Sequence, residues 1–305
     1  MTAASLAALY DLPAPAKINL FLHVTGRRAD GYHLLQSVFA LIDWADTIHL
    51  ERRADGRLQR HDLGPALPED DLSLRAARAL QQASGTPLGA DLSVLKRVPW
   101  GAGLGGGSSD AATVLLGLNR LWGLQWPRER LLALATPLGA DVPFFVGGDN
   151  AYVEGIGDRL TPFALRRQWF AVVKPAPGVP TAAIFCHPDL ARDTDPAIVA
   201  GSLAALNKNF SNGETVAGSP ALEAIGRNDL QPVAESLCPD IVQVGRWLTD
   251  RFGNSRMTGS GSAVFARAGM GDQPMATWPE GALPEGWVGR LCRSLDHHPL
   301  RDWAG

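Results

Sequence analysis

The stretch VPWGAGLGGGSSDAATVLLGLNRLW, Val98–Trp122, decides how the rest of the sequence is interpreted, because it joins a glycine-rich loop to an apolar helix. Five glycines stand at positions 101–107, and glycine at this density costs chain entropy that some function must offset. Apolar residues then recur at helical spacing from Ala111 to Leu121. The pattern predicts a loop that another molecule approaches closely, followed at once by a helix.

Three familiar nucleotide loops account poorly for these glycines. Gly101, Gly103 and Gly106 fit the G-x-G-x-x-G of a dinucleotide site, but no second strand ending in a suitably placed acid follows. A Walker P-loop requires a Gly-Lys pair, and the sequence has none. A protein-kinase loop would bring H-R-D and D-F-G motifs, which are also absent from the sequence.

What remains is a glycine loop leading into a helix whose first turn is Ser108, Ser109 and Asp110. Loop N–H groups and the positive end of a helix can hold a polyphosphate without a Walker lysine. We interpret the missing side chains at Gly103 and at positions 105–107 as room for phosphate oxygens, and the two serine hydroxyls as groups for a phosphate or for magnesium. The alternative, a turn with an aspartate cap, needs only one glycine.

The flanking sequence mixes strand and helix patterns. Residues 17–24 and 34–51 predict strands, and Asp71 predicts a cap for a helix over residues 72–83. A second helix is predicted from Pro127 to Leu138, and a longer one over residues 239–253. Further strands are predicted around residues 91–99, 150–155, 168–175 and 255–268. The mixture indicates an α+β fold with two lobes.

Composition excludes several classes of function. The 305-residue chain has a formal net charge of −3 at pH 7, which lacks the basic excess of a nucleic-acid-binding protein. No apolar run approaches the ~20 residues of a membrane span, and no secretion signal is visible. The three cysteines are widely spaced and suggest neither disulfides nor a metal site. We expect a cytoplasmic protein without a nucleic-acid or membrane partner.

Two charged residues outside the loop are candidates for chemistry. Lys17 and Asn19 lie two apart on a predicted strand and therefore point to the same face, although a solvent-facing lysine is the alternative. Asp141 precedes the apolar VPFF, which would partly desolvate its carboxylate and favour a role as proton acceptor; a turn or cap aspartate is the alternative. Phosphoryl transfer to an alcohol needs alignment, charge neutralisation and a proton acceptor.

Three segments resemble the GHMP kinase family. PWGAGLGGGSSDAA is similar to its P-x-x-x-G-L-G-S/G-S-S-A/D-A motif, and the segments beginning PAKINLFL and RMTGSGSAVFA resemble its first and third motifs in the proper order. AKINLFL, DGYH, LGGGSSDAA, GADVPFF and TGSG are most similar to the branch that phosphorylates a methylerythritol carrying a cytidine diphosphate group, in non-mevalonate isoprenoid synthesis. The resemblance is weakest at residues 201–226 and after Ala268.

The resemblance implies a fold and an activity. It implies an ATP-binding N-terminal lobe over residues 1–165 with a ribosomal-S5-like fold, and a ferredoxin-like C-terminal lobe over residues 166–305, whose last strand is a candidate to return to the first lobe. It also implies an ATP-dependent small-molecule kinase that uses Mg²⁺ and takes a substrate with a cytidine diphosphate group. Homoserine or mevalonate as substrate would keep the glycine loop but would not need the DGYH aromatics.

Residue roles follow from the same resemblance. Asp141 is the expected catalytic base with Lys17 beside it, while Tyr32 and Phe185 stack on cytosine and His33 reads its polar edge. The implied substrate-binding residues are Asn19, Tyr32, His33, Phe39, Thr181 and Phe185. The implied ATP-binding residues are Lys96, Pro99, Trp100, Gly101, Ala102, Gly103, Leu104, Gly105, Gly106, Gly107, Ser108 and Ser109.

Lys96 is as well explained as a solvated lysine as by contact with ATP. Trp100 stands where the family commonly has methionine, so a larger ring would wall the adenine pocket and alter nucleotide affinity.

Overall fold

The computed structural model describes residues 6–195 and 226–305, which form two β-sheets with helices packed against them. Strands and helices are grouped rather than strictly alternating, so the predicted α+β class is confirmed. Within the described residues, no helix has the length and apolar character needed to cross a membrane.

The first sheet has six strands and is built on one long antiparallel pair. Its strands are β1 (Ala8–Arg27), β2 (His33–Arg53), β3 (Leu58–Asp62), β4 (Gly89–Leu95), β5 (Ala151–Glu154) and β6 (Arg159–Pro162). The order is β3-β4-β2-β5-β6, with β1 paired along β2 and only β3–β4 parallel. β1 extends beyond the predicted strand at both ends, and its earlier part contains Pro13 and Pro15, which strand patterns seldom include.

Four helices belong to this lobe: α1 (Leu72–Ser84), α2 (Gly106–Leu121), α3 (Arg128–Ala135) and α4 (Val142–Gly147). Asp71 caps α1 as predicted, since its carboxylate accepts from the N–H groups of Ser73 and Leu74. α3 ends at Ala135, one turn before the predicted Leu138, and the chain continues as a turn toward Gly139.

The second sheet has four antiparallel strands in the order β10-β7-β9-β8. They are β7 (Trp169–Lys174), β8 (Arg256–Met257), β9 (Val264–Gly269) and β10 (Val288–Arg293), and the helices here are α5 (Thr181–Cys186), α6 (Gln231–Leu237) and α7 (Asp240–Phe252). The buried face of α7 consists of Ile241, Val244, Leu248 and Phe252, which are the positions that its helical spacing predicts.

The two sheets share a hydrophobic cluster. Ile18 and Phe21 of β1 pack in it with Phe170 and Phe265 of the second sheet, so the strand that carries Lys17 is fixed by both lobes. A further link between the lobes is an isolated parallel β-bridge between Leu22 of β1 and Asn228, which precedes α6.

The C-terminal end of the chain differs from the expectation. The last strand, β10, pairs with β7 in the second sheet, and the irregular segment after it is the part that returns to the first lobe. There Leu295 N–H donates to the Leu41 carbonyl, and His298 N–H donates to the Gly148 carbonyl. A lobe boundary at residues 165/166 stays our proposal; it falls between β6 and β7, where the chain passes from one sheet to the other.

Candidate active site

A cleft of about 780 Å³ lies between the two lobes. Its walls come from the middle of β1, the start of β2, the glycine loop, the residues before α4, the helix α5 and the turn at residues 259–261. The cleft therefore brings together segments that are far apart in the sequence.

The glycine loop ends in a helix start that is open to an anion. Gly105 stands at the N-cap in the left-handed region, with φ of 71°, and no side chain caps the helix. The first backbone bond runs from Ser109 N–H to the Gly105 carbonyl, at 2.9 Å. The N–H groups of Gly106, Gly107 and Ser108 are thus the ones that α2 leaves without an intrahelical acceptor, at the positive end of a sixteen-residue helix.

Some of these glycines serve contacts within the protein. A Cβ on Gly103, whose φ is 73°, would lie 2.4 Å from the Thr258 carbonyl oxygen, and one on Gly259 would lie 2.7 Å from the Gly103 carbonyl oxygen. A Cβ on Gly105 would come within 3.0 Å of the Phe145 ring and 3.2 Å of Lys17 Cγ. At positions 103 and 105, where we interpreted the missing side chains as room for phosphate, glycine is thus also required by close packing within the chain.

The cleft holds Lys17 and Asp141 together. Lys17 Nζ lies 3.5 Å from Asp141 Oδ2, and the side chains are 4% and 29% exposed. Lys17 is therefore not a solvent-facing lysine. Asp141 directly precedes α4, but its carboxylate makes no capping bond, so it stays directed to the cleft that it lines.

Neighbouring side chains fix the Lys17 ammonium. It donates to Asn19 Oδ1 at 2.6 Å and lies 4.3 Å from the centre of the Phe39 ring. The side-chain amide of Asn19 is oriented in turn, because its Nδ2 donates to Ser37 Oγ at 2.9 Å. The main chain of Asn19 is held separately, by donation of its N–H to Thr258 Oγ1 at 2.8 Å. The arrangement holds one cation against one carboxylate at the floor of the cleft.

Lys96 lies beneath the glycine loop, in a cluster of buried charges. Its side chain is 9% exposed, and its ammonium contacts Asp46 and, at 2.6 Å, Asp110. The same Asp46 carboxylate accepts from the N–H groups of Arg97 and Val98. The structure thus excludes the interpretation of Lys96 as a solvent-exposed lysine. Contact of Lys96 with ATP remains a prediction.

The residues expected at the cytidine end lie at the other side of the cleft. Tyr32 is 61% exposed, and the His33 and Phe185 rings lie 5.0 Å apart at 32°. Burial, together with the charges of Arg192 and Arg27, lowers the pKa of His33. All six residues expected to bind substrate line the cleft: Asn19, Tyr32, His33, Phe39, Thr181 and Phe185.

The residues expected to bind ATP divide into two groups. Gly101, Gly103, Gly105 and Ser108 line the cleft. The remaining eight do not belong to its lining; among them the side chains of Ala102, Leu104 and Ser109 are buried, and Trp100 is an exposed ring, 54% accessible, on the surface. Of the two serines, Ser108 is therefore the one that lines the cleft, and Ser109 is buried.

Several residues in the cleft or in contact with its lining were not singled out from the sequence. Ser37 and Thr258 hold Asn19, and Ser260 hydrogen-bonds Thr181 between their hydroxyls at 2.6 Å. The TGSG motif did contain a signal for Thr258 and Ser260, because these polar residues alternate with the glycines of the second glycine turn. No local pattern marks Arg192, which contacts His33.

The fold and the cleft define a small-molecule kinase of the GHMP class. The family model described as "GHMP kinases N terminal domain" matches residues 71–149, and "GHMP kinases C terminal" matches residues 203–273. The structure of a homoserine kinase from Cytophaga hutchinsonii superposes with a TM-score of 0.66 over 98% of this chain and 97% of that one. At 16% identity that likeness shows the fold alone.

Relatives with higher sequence identity identify the branch of this class to which the chain belongs. The 4-diphosphocytidyl-2-C-methyl-D-erythritol kinase of Methylibium petroleiphilum is 64% identical, covering 99% of this chain and 100% of its own, and that of Polaromonas naphthalenivorans is 53% identical over 98% and 97%. A crystal structure of 4-(cytidine 5'-diphospho)-2C-methyl-D-erythritol kinase superposes with a TM-score of 0.68 and 36% identity, over 87% of this chain and 91% of that one. The chain belongs to the 4-diphosphocytidyl-2-C-methyl-D-erythritol kinase family.

Proposed function

We propose that this kinase transfers the γ-phosphate of ATP to the 2-hydroxyl of 4-diphosphocytidyl-2-C-methyl-D-erythritol, in non-mevalonate isoprenoid precursor synthesis. The observation that carries the proposal is the Lys17–Asp141 contact of 3.5 Å, in a cleft that the glycine loop and the side chains of Tyr32 and Phe185 also line. We place the reaction in the cytoplasm, where ATP is available, without a nucleic-acid or membrane partner.

The glycine loop and α2 would bind the nucleotide. The N–H groups of Gly106, Gly107 and Ser108 offer donors to the phosphate oxygens, and the helix dipole favours their negative charge. Mg²⁺ prefers oxygen ligands and often keeps substrate phosphates in its shell, so we propose that it arrives bound to ATP. Of the two serines we propose Ser108 for contact with that complex, because Ser108 lines the cleft and Ser109 is buried.

Asp141 and Lys17 would act on the acceptor hydroxyl. The hydroxyl oxygen attacks the γ-phosphorus, the bond between that phosphorus and the β–γ bridging oxygen breaks, and ADP leaves. The hydroxyl proton passes to an Asp141 carboxylate oxygen. Lys17, held by Asn19, orients the pair and offsets negative charge as the phosphoryl group moves. In a loose transition state, positioning and electrostatics supply most of the acceleration.

The far side of the cleft would hold the cytidine. Tyr32 and Phe185 offer aromatic faces for stacking, and His33 offers a polar group to the base edge. Thr181 lies at the start of α5 beside this subsite and is held by Ser260. These groups favour an acceptor with a flat base at one end and a hydroxyl at the other.

An ADP-release assay with three acceptors tests the proposal. Purified protein, ATP and Mg²⁺ are combined with 4-diphosphocytidyl-2-C-methyl-D-erythritol, homoserine or mevalonate. We expect acceptor-dependent ADP release with the cytidine compound alone. Turnover with homoserine or mevalonate, and none with the cytidine compound, would overturn the substrate assignment while leaving the kinase class intact.

A single substitution tests the base. Asp141→Asn removes the proton acceptor and keeps the shape, so kcat is expected to fall about 10²–10⁴-fold. The thermal midpoint should fall by a few degrees at most, because the carboxylate makes no capping bond and Lys17 keeps its contacts with Asn19 and the Phe39 ring when the ion pair is lost. The matched control is Asp70→Asn, an exposed aspartate that pairs with Arg78 on the outer surface. Near-normal turnover by Asp141→Asn would remove the assignment.

A further inference from the structure

Arg192 connects the cytidine subsite to the end of α5. Its Nη2 donates to the carbonyls of Phe185 and His187, at 3.1 and 2.8 Å, and its Nη1 donates to the Leu190 carbonyl at 2.9 Å. Its Nε lies 3.1 Å from His33 Nε2. One guanidinium thus contacts both the helix that carries Phe185 and the imidazole of His33, a residue that lines the cleft.

The Arg192 contact determines the protonation of the His33 ring. A guanidinium has donors and no acceptor, so Nε2 must accept this hydrogen bond. In a neutral ring the proton is then on Nδ1. A proton on Nε2 would point at the Arg192 donor, so the contact disfavours it. Burial, together with the charges of Arg192 and Arg27, lowers the pKa of His33 and so also disfavours the doubly protonated ring.

The remaining ring nitrogen is available to a ligand. Within the described part of the chain, the hydrogen bond of the His33 ring is the one to Arg192, and the residue lines the cleft. The ring therefore presents a fixed N–H donor at Nδ1 rather than an interchangeable pair of nitrogens. Cytosine carries an acceptor at its N3 position, whereas uracil carries an N–H there.

We propose that Arg192 is a positioning residue for base selection: it holds His33 as the Nδ1–H tautomer, so that the cleft accepts a cytosine and rejects a uracil. The inference rests on the proposed function, since it concerns the base of the same substrate. If uracil occupied the site, its N3–H would face the Nδ1–H of His33, and neither group would have an acceptor. A site that leaves polar groups unpaired in this way discriminates strongly against the wrong base.

Two substitutions separate the donor from the bulk of the side chain. Arg192→Met keeps the length and removes every donor, whereas Arg192→Lys keeps one charged donor. For Arg192→Met we expect the KM of the cytidine substrate to rise about tenfold with kcat and the KM of ATP nearly unchanged, which corresponds to one lost hydrogen bond. Arg192→Lys should recover most of this loss.

Two readouts report the tautomer and its consequence. Nitrogen-15 NMR of the full-length protein should show His33 protonated at Nδ1 in the parent and in Arg192→Lys, and mixed or Nε2-protonated in Arg192→Met. Competitive inhibition by CDP and by UDP should favour CDP in the parent, and Arg192→Met should lose that preference. A His33 protonated at Nε2 in the parent would overturn the proposal.

A double-mutant cycle excludes a purely structural role. In a His33→Ala background, Arg192→Met should change kcat/KM less than about twofold, because the imidazole through which it acts is gone. An equal loss in both backgrounds would show that Arg192 acts through the α5 carbonyls instead and would overturn the proposal. Failure of the parent to phosphorylate the cytidine compound would count against the proposed function, whereas the NMR result stands apart from turnover.

Discussion

Asp110 is a carboxyl buried under the glycine loop, with an unusual proton affinity. Burial raises its pKa to about 7, although the Lys96 ammonium lies 2.6 Å away and opposes the shift; the neighbouring Asp46 adds to it. One oxygen of the Asp110 carboxyl is buried without a hydrogen-bond partner. The charge of this carboxyl is therefore costly to form in the folded protein.

The raised pKa of Asp110 predicts a pH dependence of stability. The folded state holds the proton more tightly than the unfolded chain, so this contribution to stability is lost as the pH rises from about 4 through 7. Asp110→Asn imitates the neutral acid, and its thermal midpoint should rise relative to the parent between about pH 5 and pH 8. Thermal unfolding of both proteins across that range measures the difference between their midpoints. A difference that does not change with pH would contradict a raised pKa for Asp110.

Single residues differ in how far the sequence could predict them. Lys17 and Asp141 could be proposed because each lies in a distinctive motif, and the structure places their side chains in contact. The contact of Lys96 with Asp46 could not be proposed, since Asp46 is fifty positions away in the chain and only the folded sheet brings it near. Arg192 lies in no motif at all.

At the scale of elements, two glycine turns pack on each other by their backbones. Ser262 N–H donates to the Gly101 carbonyl, and Ala263 N–H donates to the Ala102 carbonyl, both at 3.2 Å. Gly103 lies against Thr258 with no room for a Cβ. The turn from the second lobe therefore supports the loop that we propose for ATP.

Two alanine substitutions distinguish this packing from backbone strain alone. Gly101→Ala adds a side chain at a φ of 62° in open space, and should cost about 1 kcal/mol of unfolding free energy. Gly103→Ala adds the same strain plus a clash at 2.4 Å with a carbonyl oxygen, and should cost about 2–4 kcal/mol. Denaturant unfolding measures both values. Equal losses would show that the turns do not support each other.

Helices with one buried face were easier to predict than strands with two. The spacing of Ile241, Val244, Leu248 and Phe252 predicted the buried face of α7, because a helix with one solvent face shows its period. In β1, alternation revealed residues 17–24 only, because Pro13 and Pro15 interrupt the strand pattern before them although the strand begins at Ala8.

At the scale of the whole molecule, the C-terminal segment closes the first lobe through Arg128. The guanidinium donates to the carbonyls of Val146 and Gly147, at 2.6 and 3.1 Å, near the end of α4. It also donates to the carbonyls of Arg301 and Ala304. One side chain thus ties α3, α4 and the last residues together, and Asp141 stands directly before α4.

Loss of this tie should lower stability. Arg128→Met removes a charged donor from four carbonyls, and we expect the unfolding free energy to fall by about 2–4 kcal/mol. Arg75→Met, at an exposed arginine on α1, is the matched control and should change it by less than about 0.5 kcal/mol. Similar losses in both variants would contradict a specific role for the C-terminal segment.

The position of the transferred phosphate tests the central claim most directly. The parent protein is incubated with ATP, Mg²⁺ and 4-diphosphocytidyl-2-C-methyl-D-erythritol, and the product is examined by phosphorus NMR with proton coupling. The 2-carbon bears a methyl group and no hydrogen, so a phosphate on its oxygen shows no coupling to a proton on the ester carbon. We predict a new monoester signal without that coupling; a product with it, or ADP release without any new ester, would contradict the account.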